Sequence, residues 1–222
     1  IAWYREQGYL PEAICNYLAL LGWSPGDDRE NVTMAEICEL FTVDKVHSSP
    51  ARFDMKKLEA INGDKIRALT LDEFLKWSLP FLTKAEVITG SDAEIALVKQ
   101  ALPLIQERIV KLDEVPAMLR FLFVKDFAVE EASLSKVTDS ASKEVLKRTL
   151  AELTPLTTWN HDSIEAALRA SLIEEMGLKP RIAFGAVRIA TTGSTISPPL
   201  FESMELLGKE ACLARITQAL AL

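Results

Sequence analysis

Gly8-Tyr9-Leu10-Pro11-Glu12-Ala13-Ile14-Cys15-Asn16-Tyr17-Leu18-Ala19-Leu20-Leu21-Gly22-Trp23-Ser24 is the stretch whose reading decides the fold class. From Pro11 to Leu21, the apolar residues Ile14, Leu18 and Leu21 recur at helical spacing, and Gly22 then stops the helix. A helix with one buried stripe follows from that spacing.

The same reading extends outward. Pro25-Gly26-Asp27-Asp28 is a turn cluster, and Thr33-Met34-Ala35-Glu36 reads as an N-cap with its capping-box glutamate, opening a helix over Ile37, Leu40 and Phe41. From His47 to Phe53 the chain is irregular, broken by Ser48-Ser49-Pro50. Asp54 then caps a helix through Leu58 and Ile61 that is expected to end at Asn62-Gly63, and this compact helical unit closes near Leu71. Further helices are expected around Phe74-Leu75-Trp77, Glu94-Ile95-Leu97-Val98 and Val115-Met118-Leu119-Phe121, with breaks near Pro80, at Thr89-Gly90-Ser91-Asp92 and at Leu112-Asp113. Three more are expected near Lys143 to Leu153, Asp162 to Met176 and Leu200 to Leu222. Only Arg181 to Ala190 fits a strand as well as the start of a helix. Short connections favour antiparallel helices packed as bundles. The expected fold is all-α: a compact helical unit over residues 1–72, then helical-bundle parts over 73–125 and 126–222.

At 222 residues the chain is near the size at which one core gives way to several. Hydrophobic residues at 49% and charged residues at 26% are ordinary for a soluble globular protein, and no apolar run approaches the roughly 18 residues of a membrane span. Ile1-Ala2-Trp3-Tyr4-Arg5 shows no secretory pattern, and the lack of an initiator Met is expected of a chain cut from a longer one. Cys15, Cys38 and Cys212 are widely spaced and far from His47 and His161, so buried thiols in a reducing compartment are expected, and no metal site. The net charge of -7 argues against non-specific binding to a phosphate backbone, but not against RNA read by a few placed arginines.

A nucleophilic triad needs a histidine, and His47 and His161 both lie in polar segments without the sequence context of a nucleophile elbow; both read as surface or capping residues. No catalytic residue is assigned. Gly185-Ala186-Val187 is not a phosphate loop. Leu104, Ile105, Ile109 and Leu112 form an apolar stripe, which leaves Arg108 projecting from a helix toward solvent. There it would either pair with a neighbouring glutamate or offer its planar fork to a base edge; spacing does not decide. Arg188 precedes Thr191-Thr192-Gly193-Ser194-Thr195, a loop able to hold an unstacked nucleotide. The plainer reading is a loop entering a helix, with Ser197 as cap, Pro199 at the first helical position and Leu200-Phe201 in the core. Trp3, Trp23, Trp77 and Trp159 read as core residues.

Gly8 to Ser24, Ser48 to Asp54, Asn62-Gly63-Asp64-Lys65-Ile66-Arg67, and Gly185 to Ser194 followed by Pro198-Pro199-Leu200-Phe201-Glu202 occur here in an order that resembles bacterial glutamyl-tRNA synthetases. The resemblance runs from Trp3-Tyr4 to the last helix and covers the part of the family that follows its catalytic domain. It implies a stem-contact unit over the first block and two helical bundles that cage the anticodon. It implies further that Arg108 contacts the third anticodon base and favours the glutamate tRNA over the glutamine tRNA. Arg188, Thr192, Gly193, Ser194, Leu200 and Phe201 would complete the anticodon-binding set, with Pro199-Leu200-Phe201 as the shelf on which bases stack. The implied partner is tRNA(Glu), bound by a cytoplasmic monomer without a membrane. ATP and Mg2+ would serve the parent enzyme upstream of Ile1, with no cofactor in this chain, which should not aminoacylate alone. Two alternatives stand beside this: a parent that also charges the glutamine tRNA, and an α-helical protein-interaction module without an RNA role, favoured by the acidity.

Overall fold

The structure, a computed structural model, describes residues 1–46 and 52–222. His47 and the motif Ser48-Ser49-Pro50-Ala51 lie outside the described residues. Among those described, the α-helices are α1 (Ala2–Glu6), α2 (Pro11–Gly22), α3 (Met34–Leu40), α4 (Met55–Ala68), α5 (Leu71–Lys84), α6 (Asp92–Ala101), α7 (Val115–Leu119), α8 (Ser135–Thr138), α9 (Ser140–Leu153), α10 (His161–Leu168), α11 (Pro180–Thr192), α12 (Leu200–Leu207) and α13 (Lys209–Ala221), with no strand beyond one isolated bridge between Trp23 and Val46. The expected all-α class is what is found. The chain divides into two compact units, residues 1–86 with 105–117 and residues 87–104 with 118–222.

In the first unit the core is built from Leu10, Tyr17, Leu58, Ile66, Phe74, Leu82, Ile105, Ile109 and Leu112. α2 has the expected bounds but not the expected stripe. Its buried face is Ala13, Asn16 and Tyr17, while Leu18 is 53% exposed and Ile14 is half-buried. Hydrogen bonding selects this face: buried Asn16 accepts from the Val32 N–H at 2.9 Å and donates to the Glu30 carbonyl at 2.9 Å, satisfying a loop that spacing of apolar residues ignores. The Thr33–Glu36 capping box and the Asp54 cap are present as expected.

α4 runs on past Asn62-Gly63 to Ala68, because these residues pack inward instead of capping. Asn62 accepts from the Leu10 N–H at 2.8 Å and donates to the carbonyls of Gly8 at 3.2 Å and Val110 at 2.6 Å. α5 likewise continues through Pro80 to Lys84, with Pro80 exposed. Gly8 sits at φ +83, and a Cβ on it would lie 2.4 Å from the Leu112 nitrogen. Only glycine allows the two backbones to approach so closely.

The second unit encloses Val137, Leu146, Leu153, Ile164, Leu168, Leu172, Val187, Ala190, Met204, Cys212 and Ile216. α10 gives way to a wide π-type segment over Arg169–Glu175. The single helix expected from Leu200 to Leu222 is two, because Gly208 at φ +88 turns the chain between α12 and α13. Arg181 to Ala190 resolves as helix, inside α11. The thiols are not uniformly buried: Cys38 is exposed, Cys15 half-buried and Cys212 buried. Of the tryptophans, Trp23 is buried, Trp77 and Trp159 are half-buried and Trp3 is largely exposed.

Candidate functional site

Arg108 belongs to the first unit and lies in a turn, not on the helix expected there. α6 ends at Ala101, one tight turn follows over Leu102–Leu104, and Pro103 in that turn cannot donate to an α-helical ladder. Ile105, Ile109 and Leu112 are buried as the stripe requires, and Arg108 is exposed as expected. What holds it is the backbone around it. The Arg108 N–H donates to the Ile105 carbonyl at 2.8 Å, and the Gln106 amide donates to the carbonyls of Ile66 and Leu69, both at 2.9 Å. Downstream, Asn62 holds the Val110 carbonyl, Glu114 accepts from the N–H groups of Val110 at 3.1 Å and Lys111 at 2.9 Å, and the Leu112 N–H donates to Gly8 at 3.0 Å. With the backbone already fixed, only the side chain's own rotamer freedom is lost when this solvent-facing guanidinium meets a ligand, not the ordering of the turn.

Arg188 stands on α11 in the second unit. It donates to the Ser197 hydroxyl and to the Pro198 carbonyl at 2.7 Å, so the guanidinium ties the far end of the Thr192–Pro199 loop back to the helix that precedes it. Ser197 is thereby used up: it does not cap α12, whose N-cap is Pro199 with Leu200 as the first helical residue. The near end of the loop is fixed as well. Gly193 ends α11 at φ +86, its carbonyl accepts from the Glu130 N–H at 2.9 Å, and a Cβ there would lie 3.0 Å from the Ala128 carbonyl. Thr192, Gly193 and Leu200 are buried, Ser194 and Phe201 are half-buried, Thr195 is exposed and Ile196 is 73% exposed. Phe201 packs edge-on against Phe184, with ring centroids 5.2 Å apart.

A third arginine escaped the sequence reading. Arg215 on α13 is only 7% exposed and donates to the carbonyls of Thr191 at 2.7 Å and Phe121 at 2.9 Å, while its guanidinium lies 4.0 Å from the Phe127 ring centroid. Burial lowers its pKa from the ordinary arginine value, yet an arginine stays charged at neutral pH. It therefore places a positive charge beside the Thr191 carbonyl at the C-terminal end of α11, where the loop begins. The signal was present: Arg215 falls three residues after Cys212 and four before Ala219, on the apolar stripe of its helix. Asn62 and Gln106 gave no such signal, because their partners are backbone carbonyls distant in sequence. His161 opens α10 beside its N-cap Asn160, and its Nδ1 meets the Glu205 carboxylate at 2.7 Å.

An all-helical chain that offers an exposed arginine on a fixed turn is compatible with RNA read by a few placed arginines. Residues 59–220 match the family described as an anticodon binding domain, and residues 1–60, read above within a stem-contact unit, match that of the class I (E and Q) tRNA synthetase catalytic domain. The chain is 46% identical over 216 residues to the glutamate–tRNA ligase of Saccharopolyspora erythraea, covering 96% of this chain and 43% of the relative. It is 48% identical over 221 residues to that of a Nocardioides species, covering 98% and 45%. The crystal structure of a glutamate tRNA ligase from Elizabethkingia meningosepticum superposes with a TM-score of 0.82 at 26% identity, covering 98% of this chain and 42% of that one. The chain belongs to the glutamate–tRNA ligase family, with the anticodon-binding domain as its main part. It spans somewhat under half the length of the relatives it matches. No helix of the described residues is long and apolar enough to cross a membrane.

Proposed function

We propose that this chain reads the anticodon of tRNA(Glu), with Arg108 contacting the third anticodon base. The observation that carries the reading is an exposed arginine on a turn fixed on both sides, in a chain whose residues 59–220 match an anticodon-binding domain. A guanidinium donates two parallel hydrogen bonds to a base edge, which discriminates one base from another. Residues 1–72 serve as the stem-contact unit, and 73–125 and 126–222 as two parts of the anticodon-binding bundle. Arg188 acts by holding the loop whose Ser194 and Phe201 remain reachable, while Thr192, Gly193 and Leu200 contribute through the loop's shape. In a full-length cytoplasmic ligase, taken as a monomer, ATP and Mg2+ serve a catalytic site to which no residue of this chain is assigned.

The test is binding of the chain to tRNA(Glu) transcripts carrying C or G at the third anticodon position, with the wild-type protein and Arg108→Gln side by side. The wild type is expected to prefer C, and the preference to shrink in the variant by about 1–3 kcal/mol, the usual worth of a bidentate base contact. Equal binding of both transcripts by the wild type rules out Arg108 as the discriminating residue. Absence of binding to either transcript by the wild type would count against the anticodon reading and for the protein-interaction module.

A further inference from the structure

The second unit carries a cleft of about 860 Å³ whose lining includes Lys136, Ser142, Arg181, Phe184, Arg188 and Thr195. Its volume is within the range that takes a small ligand or part of a larger one. Three cations and two hydroxyls face one lining carboxylate, Asp139, and that carboxylate is engaged by the N–H of Ser142 at 2.9 Å and by its hydroxyl at 2.7 Å. Lys136 and Arg181 are exposed, and neither has an ion-pair partner among the described residues. Such a cluster stands out on a protein of net charge -7. The cleft also adjoins the loop described above, because Arg188 lines it while holding Ser197 and Pro198, and Phe184 lines it while packing on Phe201.

We propose that this cleft is a phosphodiester site, in which Lys136 and Arg181 hold the RNA backbone beside the Thr192–Pro199 loop. The proposal rests on the anticodon-reading function above and adds a sequence-independent contact to it. Phosphate contacts position a nucleic acid without reading its bases, and each one released adds to the salt dependence of binding. Phe184 is the one aromatic ring in the lining and Arg169 already lies 5.5 Å from its centroid, so the cations carry the contact. An RNA backbone is favoured over an acidic protein segment because residues 59–220 match an anticodon binding domain.

The test uses the full chain with the double variant Lys136→Ala/Arg181→Ala and the charge-keeping Lys136→Arg/Arg181→Lys, each checked by its melting temperature. The alanine variant is expected to bind tRNA(Glu) roughly tenfold more weakly at 0.15 M salt and to lose about 1 to 2 from the slope of log affinity against log salt. Its ratio of affinities for the C and G transcripts should stay that of the wild type, and the charge-keeping variant should restore affinity and slope. Wild-type affinity and slope in the alanine variant would overturn the cleft while leaving the anticodon reading intact. Failure of the charge-keeping variant to rescue would overturn it too, as would a cleft that binds a polyglutamate peptide through these residues while tRNA ignores them. If the wild-type chain binds no tRNA at all, the function itself falls and the cleft with it.

Discussion

Arg108, Arg188 and Arg215 bring one chemical group into three settings: a solvent-facing turn, a half-buried loop anchor and an interior shared with Phe127. Only the first is exposed to solvent, which agrees with the base contact proposed for it on the family resemblance. Replacing Arg215 by Met would leave two buried carbonyls without their donors, and is expected to cost on the order of 2–4 kcal/mol. A thermal melt should show it as a clear fall in the unfolding midpoint, and an unchanged midpoint would mean that water replaces the guanidinium. Cys212 illustrates the same dependence on setting: burial pushes its thiol up to about 12, whereas Cys38 is exposed. Titration of the native protein with a thiol reagent should label Cys38 promptly and Cys212 only on unfolding. Arg108's exposure was legible from the stripe that excludes it. The commitment of Arg188 to Ser197 and Pro198 was not, since nothing local distinguishes an arginine that binds a ligand from one that binds its own loop.

Helix beginnings were among the more legible elements, because caps are local: Thr33–Glu36 and Asp54 each satisfy nearby N–H groups. Helix ends were less so. Asn62-Gly63 has the composition of a terminator, but it sits mid-helix because Asn62 bonds to Gly8 and Val110, contacts that lie far along the chain. At the start of α6, the Glu94 carboxylate accepts from the backbone and hydroxyl groups of Thr89 and Ser91 and from the Gly90 N–H, and these bonds hold its pKa down at about 2. A depressed carboxylate stabilises the fold above its ordinary pKa of about 4.3 and loses that contribution as pH falls toward the folded value. Glu94→Gln should therefore lower the melting temperature at pH 7 and make little difference near pH 2; a constant difference across that range would show that the carboxylate's charge is irrelevant. His161 has the opposite sign. Its pKa is raised, chiefly by the hydrogen bond to Glu205 and then by the nearby charges of Asp162, Glu205 and Glu202. Its contribution is complete below about pH 6.5 and fades as pH rises through the folded value. The melting temperature lost on His161→Gln should be greater at pH 6 than at pH 8.

At the scale of the whole molecule, the all-α class followed from helical periodicity in nearly every segment, and the family from four motifs in order. The packing of the chain into units did not follow, because residues 105–117 join a core made by residues 1–86 through side chains that no local pattern connects. The whole chain also sets a limit on activity. Without an assigned ATP or glutamate site, it is expected to give no tRNA charging above background in an aminoacylation assay with ATP, magnesium and glutamate, and a measurable rate would contradict that.

The close approach of Gly8 to Leu112 has a consequence in time as well as space. During synthesis, the first 86 residues lack part of their core until the ribosome has made the 31 residues from 87 to 117, the last 13 of which return to pack against them. At roughly 5–20 residues per second, that is a wait of about 2–6 seconds. Throughout it, the apolar face awaiting Ile105, Ile109 and Leu112 is open to chaperones, so the N-terminal helices finish folding only after much of the chain behind them has been translated.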